Sequence, residues 1–426
     1  MEKRVAIVSG VRTPFCKAGK VFASLEADDL GALVVKELVA RTAVALEEID
    51  EIIVGNVIPP LHALNIARVV GQKAYLPDRV VASTVNKNCA SGMEAISSAV
   101  DRIRLGEASV VIAGGTESMT NIPFGFNKRM VALFKQLSKA KTFAARLKAV
   151  SRFKLSFLSP VVPGLIDPVC GLSMGETAEF LAREFSITRK EQDAYAFISH
   201  QRAAAAVKEG KFVEEIFPVV LPPRYEEVQH VDDGIRMEQT IEELEALRPV
   251  FDRQAGTVTA GSSSQISDGA ACLLLMPEEK AKALSLEPLG YLRSYAYAGL
   301  DGRRMGLGPA YATAKLLKKT GMTMEDFDLI ELNEAFAAQV IANERAFSCQ
   351  KFAQRFLNRS EALGEIGRDR LNVNGGAIAF GHPVGASGAR LVLTLLKELR
   401  RRNNNLGLAT LCVGGGQGAA FALEVS

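Results

Sequence analysis

Apolar and polar positions along the chain follow two different periods. Short apolar and β-branched runs predict strands at 5–8, 51–54, 80–85 and 109–113. Apolar residues spaced three and four apart predict helices at 29–44, 64–76 and 89–106. Strands that alternate with helices in this way indicate a parallel or mixed sheet of the α/β class.

The second half of the chain repeats the plan of the first half. Four matches occur in the same order: LEEIDEII at 46–53 with MEDFDLI at 324–330, ASG at 90–92 with ASG at 386–388, the glycine-ended strands 110–115 and 408–415, and DGAACL at 268–273 with QGAAFA at 417–422. We interpret this as an internal duplication. It predicts two similar domains packed against each other, with functional sites at the join.

The first copy also carries an insertion, at about 120–252, that the second copy lacks. Its pattern predicts helices at 176–185 and 189–209. Within it, residues 127–154 contain nine Lys and Arg and no Asp or Glu, with Phe and Leu between them. This basic segment fits a surface that docks on a membrane or a protein partner. A solvated face over an ordinary core stripe and a docking site for an anionic substrate are the alternatives.

The composition of the chain argues against several classes of protein, including nucleic-acid-binding and membrane-spanning proteins. The 426 residues are 48% hydrophobic and 23% charged with a net charge of +3, which is ordinary for a globular enzyme and gives no argument for nucleic acid. No apolar run reaches the roughly 18 residues of a membrane span. The six cysteines are dispersed, so we expect neither disulfides nor a metal site. Only four residues precede the first strand, so we expect no signal peptide and a cytoplasmic location.

Two residues at corresponding places in the two copies are candidates for catalysis. Cys89 lies where a strand passes into a helix, and unpaired N–H groups at a helix start favour a thiolate. His382 lies in a glycine-rich run, 374–388, at the start of the equivalent helix. A cysteine beside a histidine can act as a nucleophile at neutral pH. The alternative for Cys89 is a buried packing residue.

Two further residues extend this set. Cys412 ends a predicted strand just before Gly414 and two more glycines, whose free N–H groups could hold an oxyanion. The alternative is another buried cysteine. Asn333 follows the predicted strand 329–332 and could orient a water, or could cap a helix. The chain contains neither a G-x-x-x-x-G-K-[ST] motif nor G-x-G-x-x-G after its first strand, so no nucleoside triphosphate or dinucleotide site is indicated.

These motifs together resemble the thiolase family. The resemblance rests on NCASG at 88–92, GTVTAG at 256–261, NEAF at 333–336, GHP at 381–383 and CVGGG at 412–416. It implies two duplicated βαβαβαββ core domains packed in a layered α/β arrangement, plus an inserted, mainly helical loop domain. The expected boundaries are 1–120 with 253–277 for the first core domain, 121–252 for the loop domain and 278–426 for the second core domain.

The resemblance also implies a mechanism, that of a 3-ketoacyl-CoA thiolase in fatty-acid β-oxidation. Cys89 would attack the 3-keto carbon and become acylated, and Cys412 would protonate the departing acetyl-CoA enolate. His382 would activate Cys89 and then help to activate the incoming CoA thiol. One oxyanion hole would be His382 with a water held by Asn333. The other would be the backbone N–H groups of Cys89 and Gly414. Coenzyme A is then a co-substrate, and no bound cofactor is expected.

Substrate-binding residues follow from the same resemblance. Ala260 and Ser264 match positions that line the pantetheine tunnel, and Met174 and Phe336 match positions near the acyl group. Ser173 stands where many short-chain thiolases have histidine, which disfavours specialisation for acetoacetyl-CoA. An acetoacetyl-CoA thiolase working in the condensing direction remains the alternative function.

The basic segment, with GLSMGETAE at 171–179, resembles the thiolase subunits of β-oxidation multienzyme complexes. Besides acyl-CoA and CoA, the expected partners are further copies of the chain in a dimer or tetramer and a hydratase/dehydrogenase α-subunit. Peripheral membrane contact is expected through residues 127–157. No nucleic-acid partner is expected.

Overall fold

The computed structural model describes residues 4–161 and 166–426. Its strands are β1 (Val5–Arg12), β2 (Cys16–Lys17), β3 (Glu51–Gly55), β4 (Val81–Val85), β5 (Val111–Glu117), β6 (Gly125–Phe126), β7 (Pro160–Val161), β8 (Val219–Val220), β9 (Val228–Gln229), β10 (Ser267–Pro277), β11 (Gly290–Gly299), β12 (Leu329–Leu332), β13 (Leu406–Val413) and β14 (Gln417–Glu424). All but β6–β9 belong to one large mixed sheet.

The helices are α1 (Ala27–Thr42), α2 (Ile66–Lys73), α3 (Ser91–Leu105), α4 (Lys128–Lys139), α5 (Phe143–Val150), α6 (Met174–Glu184), α7 (Arg189–Lys208), α8 (Ile241–Glu245), α9 (Glu278–Ala283), α10 (Gly308–Thr320), α11 (Ala337–Ser348), α12 (Gln350–Phe356), α13 (Ala377–Phe380) and α14 (Ser387–Arg402). No helix in the described part of the chain is long and apolar enough to cross a membrane.

The first half of the sheet has the strand order β4-β3-β5-β10-β1. β3 pairs in parallel with β4 and β5, and β10 runs antiparallel to both β5 and β1. The interior strands β3 and β5 are buried along their whole length, as continuous apolar runs predict for strands covered on both faces. Helix α1 buries Leu30, Val34 and Leu38, spaced four apart, against this layer.

The second half repeats this arrangement in the order β11-β14-β13-β12. A 3₁₀ turn precedes β12 at Met324–Asp326, as one precedes β3 at Leu46–Glu48. The counterpart of β4 is reduced to a single parallel bridge between Ile330 and Leu371. The predicted duplication is confirmed. A short pairing of β1 with β11 joins the two halves into a continuous sheet.

Helices α3 and α14 pack against each other between the two halves and share one apolar cluster with the inner faces of both. Their crossing is close because glycines lie at the contact. A Cβ added to Gly92 would lie 2.7 Å from the Ala389 nitrogen, and one added to Gly388 would lie 2.7 Å from the Met93 nitrogen. The segments that precede the two helices are therefore brought together.

The insertion lies between β5 and β10 in sequence. The predicted helices at 176–185 and 189–209 are confirmed as α6 and α7, and each begins with a capping box, at Ser173 and Thr188. The basic segment forms α4 and α5. Part of its apolar stripe is buried, since Met130, Leu133 and Ala149 form a small cluster with Leu137 and Phe157. Another part is open, with Phe143 82% exposed and Leu147 61% exposed.

The helix predicted from Cys89 begins two residues later, at Ser91. The helix predicted with the second ASG match, at 386–388, begins at Ser387, five residues after His382. In both places a short turn separates the strand or loop from the helix. Because the two turns project from the ends of α3 and α14, Cys89 and His382 face a common space rather than lying inside their helices.

Candidate active site

A cavity of about 470 Å³ lies where the two halves and the insertion meet. Its volume is typical of a site for a small organic ligand. Seven of the predicted site residues border it: Cys89, Met174, Ser264, Phe336, His382, Cys412 and Gly414. The rest of the wall is mainly apolar, with Ile58, Phe251 and Met305 among its members.

Cys89 is half-buried and faces this cavity two residues before α3. The backbone N–H groups of Gly414 and of Cys89 itself act on the sulfur to lower the pKa of the thiol. Burial raises that pKa by more, so it lies above its ordinary value. The expectation that the helix start alone would favour a thiolate is therefore wrong, because the apolar surroundings outweigh the local donors. A neutral thiol at this place requires a base.

His382 is buried, and burial together with Arg390 lowers its pKa to about 4, so the imidazole is neutral at physiological pH. Its Nδ1 lies 2.6 Å from the hydroxyl oxygen of Ser387. That hydroxyl in turn donates to the carbonyl of Pro383 at 2.9 Å. Since the hydroxyl proton is used there, we assign the imidazole proton to Nδ1, which leaves Nε2 as a proton acceptor.

Asn333 lies at the end of β12, fully buried behind the cavity wall. Its Nδ2 is 3.4 Å from Nε2 of His382. Its Oδ1 is buried and has no hydrogen-bond partner among the residues that the structure describes. The helix-cap alternative is wrong, since α11 begins at Ala337 and its capping position is Phe336.

Cys412 lies near the end of β13, and only 1% of its surface is exposed. Burial and the neighbouring Cys89 raise the pKa of its thiol well above the ordinary value, so the group carries its proton at neutral pH. The chain then turns through Gly414–Gly416, which we call the glycine turn. Gly415 and Gly416 have φ of 86° and 78°, a conformation that favours glycine.

The predicted substrate-binding residues are only partly brought together. Met174 begins α6 and borders the cavity with Ser264 and Phe336, whose ring packs edge-on against Phe251 with centroids 5.9 Å apart. Ala260 is exposed and does not line the cavity.

Sequence reasoning missed Glu117, a buried carboxylate at the end of β5. Its two oxygens accept hydrogen bonds from the backbone N–H groups of Val57, Ile58 and Gly385 and from Asn56 Nδ2, at 2.9 to 3.1 Å. Val57 and Ile58 belong to the first half and Gly385 to the second. Glu117 therefore ties together two loops that form the cavity wall. Burial raises its pKa to about 7 even though all four donors lower it.

Glu334 was also missed as a functional residue, although it lies inside the NEAF motif. It accepts hydrogen bonds from Tyr195 OH at 3.0 Å, Ser199 Oγ at 2.6 Å, Asn372 Nδ2 at 2.9 Å and the Ile378 N–H at 3.2 Å. Tyr195 and Ser199 lie on α7 of the insertion. Glu334 thus fixes the insertion to the loops that carry Asn333 and His382. Its place directly after Asn333 in the NEAF motif was the available signal.

No group of three or more His, Cys, Asp or Glu side chains in residues 4–161 and 166–426 is arranged to hold a metal ion. The cavity at the junction of the two repeated α/β halves thus contains two thiols and a neutral imidazole. These are the groups that an enzyme with a cysteine nucleophile uses for catalysis.

Comparisons with known proteins give the family. Residues 5–279 match the model of the thiolase N-terminal domain, and residues 286–425 match that of the thiolase C-terminal domain. The chain belongs to the thiolase family, whose 3-ketoacyl-CoA thiolases are acyltransferases.

Several relatives are similar over nearly the whole chain. A 3-ketoacyl-CoA thiolase of Yersinia enterocolitica is 44% identical over 423 residues, which cover 99% of this chain and 97% of the relative. One from Pseudoalteromonas translucida is 44% identical over 422 residues, with the same coverage. Among solved structures, an acetyl-CoA acetyltransferase of Bacillus anthracis superposes with a TM-score of 0.87 at 37% identity and 99% coverage of both chains. Human mitochondrial 3-ketoacyl-CoA thiolase in complex with CoA gives 0.84 at 34% identity, covering 100% of this chain and 98% of its own.

Proposed function

We propose that this chain is a 3-ketoacyl-CoA thiolase of fatty-acid β-oxidation. It cleaves a 3-ketoacyl-CoA with CoA to acetyl-CoA and a shortened acyl-CoA through an acyl-cysteine intermediate. The observation that carries this proposal is that Cys89, His382 and Cys412 border one apolar cavity. The names of the full-length relatives support the same activity.

In the first step His382 Nε2 takes the proton of Cys89, and the sulfur bonds to the 3-keto carbon. The bond between C2 and C3 then breaks, and its electron pair forms the enolate of acetyl-CoA. Cys412 gives its proton to C2, so acetyl-CoA leaves and the acyl group stays on Cys89. The raised pKa of Cys412 suits this role, because the thiol holds a proton until a strong carbon base forms.

In the second step the thiol of CoA gives its proton to the Cys412 thiolate. Its sulfur attacks the acyl thioester, and Cys89 leaves with the proton that His382 had stored. All protons return to their starting groups. The N–H groups of Cys89 and Gly414, which already converge on the sulfur, would stabilise the thioester oxyanion. Asn333 and His382 would hold the other oxyanion through a bound water.

Replacing Cys89 with alanine tests the nucleophile. We expect loss of thiolysis and of the covalently bound acyl group seen by mass spectrometry with a 3-ketoacyl-CoA. Replacing the exposed Cys349 with alanine is the matched control and should leave both unchanged. Turnover that survives Cys89→Ala would refute the assignment.

An acetoacetyl-CoA thiolase that condenses two acetyl-CoA molecules is the second candidate. The structural similarity to the Bacillus anthracis acetyl-CoA acetyltransferase favours it. The two activities differ in chain length, so kcat/KM for acetoacetyl-CoA and for a 3-ketoacyl-CoA of ten to sixteen carbons separates them. A preference for the four-carbon substrate would favour the second candidate.

CoA binding is supported by the human neighbour, which was solved in complex with CoA. We propose that Ser264, which borders the cavity, contacts the pantetheine arm, and that Ala260 lies further out along the same path. Met174 and Phe336 would contact the acyl group. We propose the domain boundaries as 1–120 with 253–277, 121–252 and 278–426.

We also propose a homo-oligomer, either a dimer or a tetramer. Strand β4 forms one edge of the sheet, and Val81 on it is 62% exposed. An open strand edge invites pairing with another chain, and a second copy would cover it. A cytoplasmic location fits six cysteines that are all unpaired.

The basic segment at 127–157 is proposed to bind an anionic membrane surface. Exposed Phe143 and Leu147 lie among nine cations with no carboxylate between residues 127 and 154. Phe143→Ser with Leu147→Ser should reduce co-sedimentation with phosphatidylglycerol vesicles, whereas Leu105→Ser, an equally exposed leucine on α3, should not. Unchanged sedimentation of the double variant, with lost co-purification of a hydratase/dehydrogenase α-subunit, would favour a hetero-complex instead.

A further inference from the structure

Asn88 lies between Cys89 and the glycine turn. Its Nδ2 donates to the carbonyl of Gly414 at 2.7 Å, which links the first half of the chain to the second. The residue borders the cavity. Its own N–H donates to Asn86 Oδ1 at 3.0 Å, which fixes its position from the other side.

The backbone at Asn88 has φ of 46°, in the left-handed region. Among residues other than glycine, asparagine tolerates this region best, while β-branched and bulky side chains are strained there. Residue 88 therefore combines a conformation that few side chains adopt with a carboxamide that reaches across the junction.

The glycine turn depends on contacts with its surroundings because its residues have no side chains. At its far end the N–H of Leu300 donates to the carbonyl of Gly416 at 2.8 Å. At its near end Asn88 holds the carbonyl oxygen of Gly414. Gly414 borders the cavity together with Cys89, and its backbone N–H lowers the pKa of the Cys89 thiol. The residue that holds Gly414 is therefore the chain neighbour of the residue on which its N–H acts.

We propose that Asn88 is a positioning residue that orients the Gly414 N–H toward the Cys89 sulfur. Without this carboxamide the turn can rotate, and the sulfur loses one of its two backbone donors. A second consequence, that the same N–H faces the oxygen of the acyl group, rests on the proposed function. The orientation of the N–H toward the sulfur is independent of the proposed function.

The test uses two variants of the full chain. Asn88→Gly keeps the left-handed backbone and removes the carboxamide. Asn88→Asp keeps the shape but replaces the donor with a carboxylate that repels the Gly414 carbonyl. Alkylation of Cys89 by iodoacetamide, followed by mass spectrometry from pH 6 to 10, reports the sulfur directly. The other titratable groups that face Cys89, namely His382, Cys412 and Glu117, are unchanged in both variants.

We expect alkylation at pH 7 to slow roughly 3- to 10-fold in Asn88→Gly, because the thiolate loses a donor. It should slow further in Asn88→Asp, whose carboxylate also repels the thiolate. Thiolysis kcat should fall roughly 10- to 100-fold with KM within about threefold. Asn65→Gly is the matched control, since it loses a comparable bond from Nδ2 to the Ala82 carbonyl at 3.1 Å in the same half. It should change neither quantity.

Alkylation profiles and kcat values within about twofold of the wild type in both variants would overturn the proposal. Thermal unfolding identifies a variant that fails to fold, and Asn88→Asp, which keeps the side-chain volume, then carries the test. If the wild-type protein cleaves no 3-ketoacyl-CoA, the proposed function fails, while the alkylation profiles still decide the role of Asn88.

Discussion

Glu117 holds together two loops of the cavity wall, but burial of its ionised carboxylate destabilises the folded protein. Replacing Glu117 with glutamine measures the size of this destabilisation. Burial raises its pKa from 4.5 to about 7. The folded protein therefore holds this proton more tightly than the unfolded chain does. Between these pH values the unfolded chain has released the proton and the folded protein has not, so stability falls as the pH rises through this window.

The size of the effect follows from the pKa difference. At roughly 1.4 kcal/mol per pH unit, it amounts to about 3 kcal/mol. Glutamine resembles the protonated carboxyl and does not titrate. The free energy of unfolding of the wild type, minus that of Glu117→Gln, should therefore fall by about 3 kcal/mol between pH 4 and pH 8. Glu331, whose pKa is also raised to about 7, is present in both proteins and cancels in the difference.

The assay is urea unfolding at several pH values, with refolding traces to establish reversibility. Glu361→Gln, at an exposed position, is the control and should give a difference that does not change with pH. Glu117→Ala should behave differently from Glu117→Gln. It leaves three backbone N–H groups without an acceptor, at roughly 1–3 kcal/mol each. A difference between wild type and Glu117→Gln that stays constant within about 0.5 kcal/mol would refute the reasoning.

Two other substitutions test contacts that surround the site. Ser387→Ala removes the acceptor for the Nδ1 proton of His382 and should lower kcat roughly 10- to 100-fold with little change in KM, in steady-state thiolysis; an unchanged kcat would show that the tautomer is fixed in another way. Arg12→Ala should destabilise the protein by about 3–5 kcal/mol in urea unfolding. It leaves Glu215 and Asp232, which Arg12 contacts at 2.8 Å and 2.7 Å, buried without their cation, and a loss below about 1 kcal/mol would contradict this.

The fold could be predicted because its signals are local. The run at 46–53 and its counterpart at 324–330 each encode a turn followed by a buried strand, and the structure has both. Cys89, His382 and Cys412 could be found because each lies within three residues of a glycine in a short motif near the end of a helix or strand. The structure brings all three to one cavity.

The remaining features depend on contacts between distant residues. The donors to Glu117 include the backbone N–H groups of Val57, Ile58 and Gly385. A sequence pattern does not show that these N–H groups will converge on one particular carboxylate. The pKa of Cys89 was predicted in the wrong direction because the helix start is local, whereas the apolar wall that outweighs it comes from elsewhere in the chain.

The strand order also determines when the protein can fold during synthesis. β1 pairs with β10, so Arg12 must meet Ala271, roughly 260 residues later. Closing a loop of that length costs about 3 kcal/mol more than closing one of ten residues. The first half cannot complete its sheet until the ribosome has made the whole insertion. The insertion does not fold ahead of the rest either, because α6 and α7 pack against α11 and α13 of the second half, which are made later. We expect the nascent chain to form its sheet and to dock its insertion only near the end of synthesis.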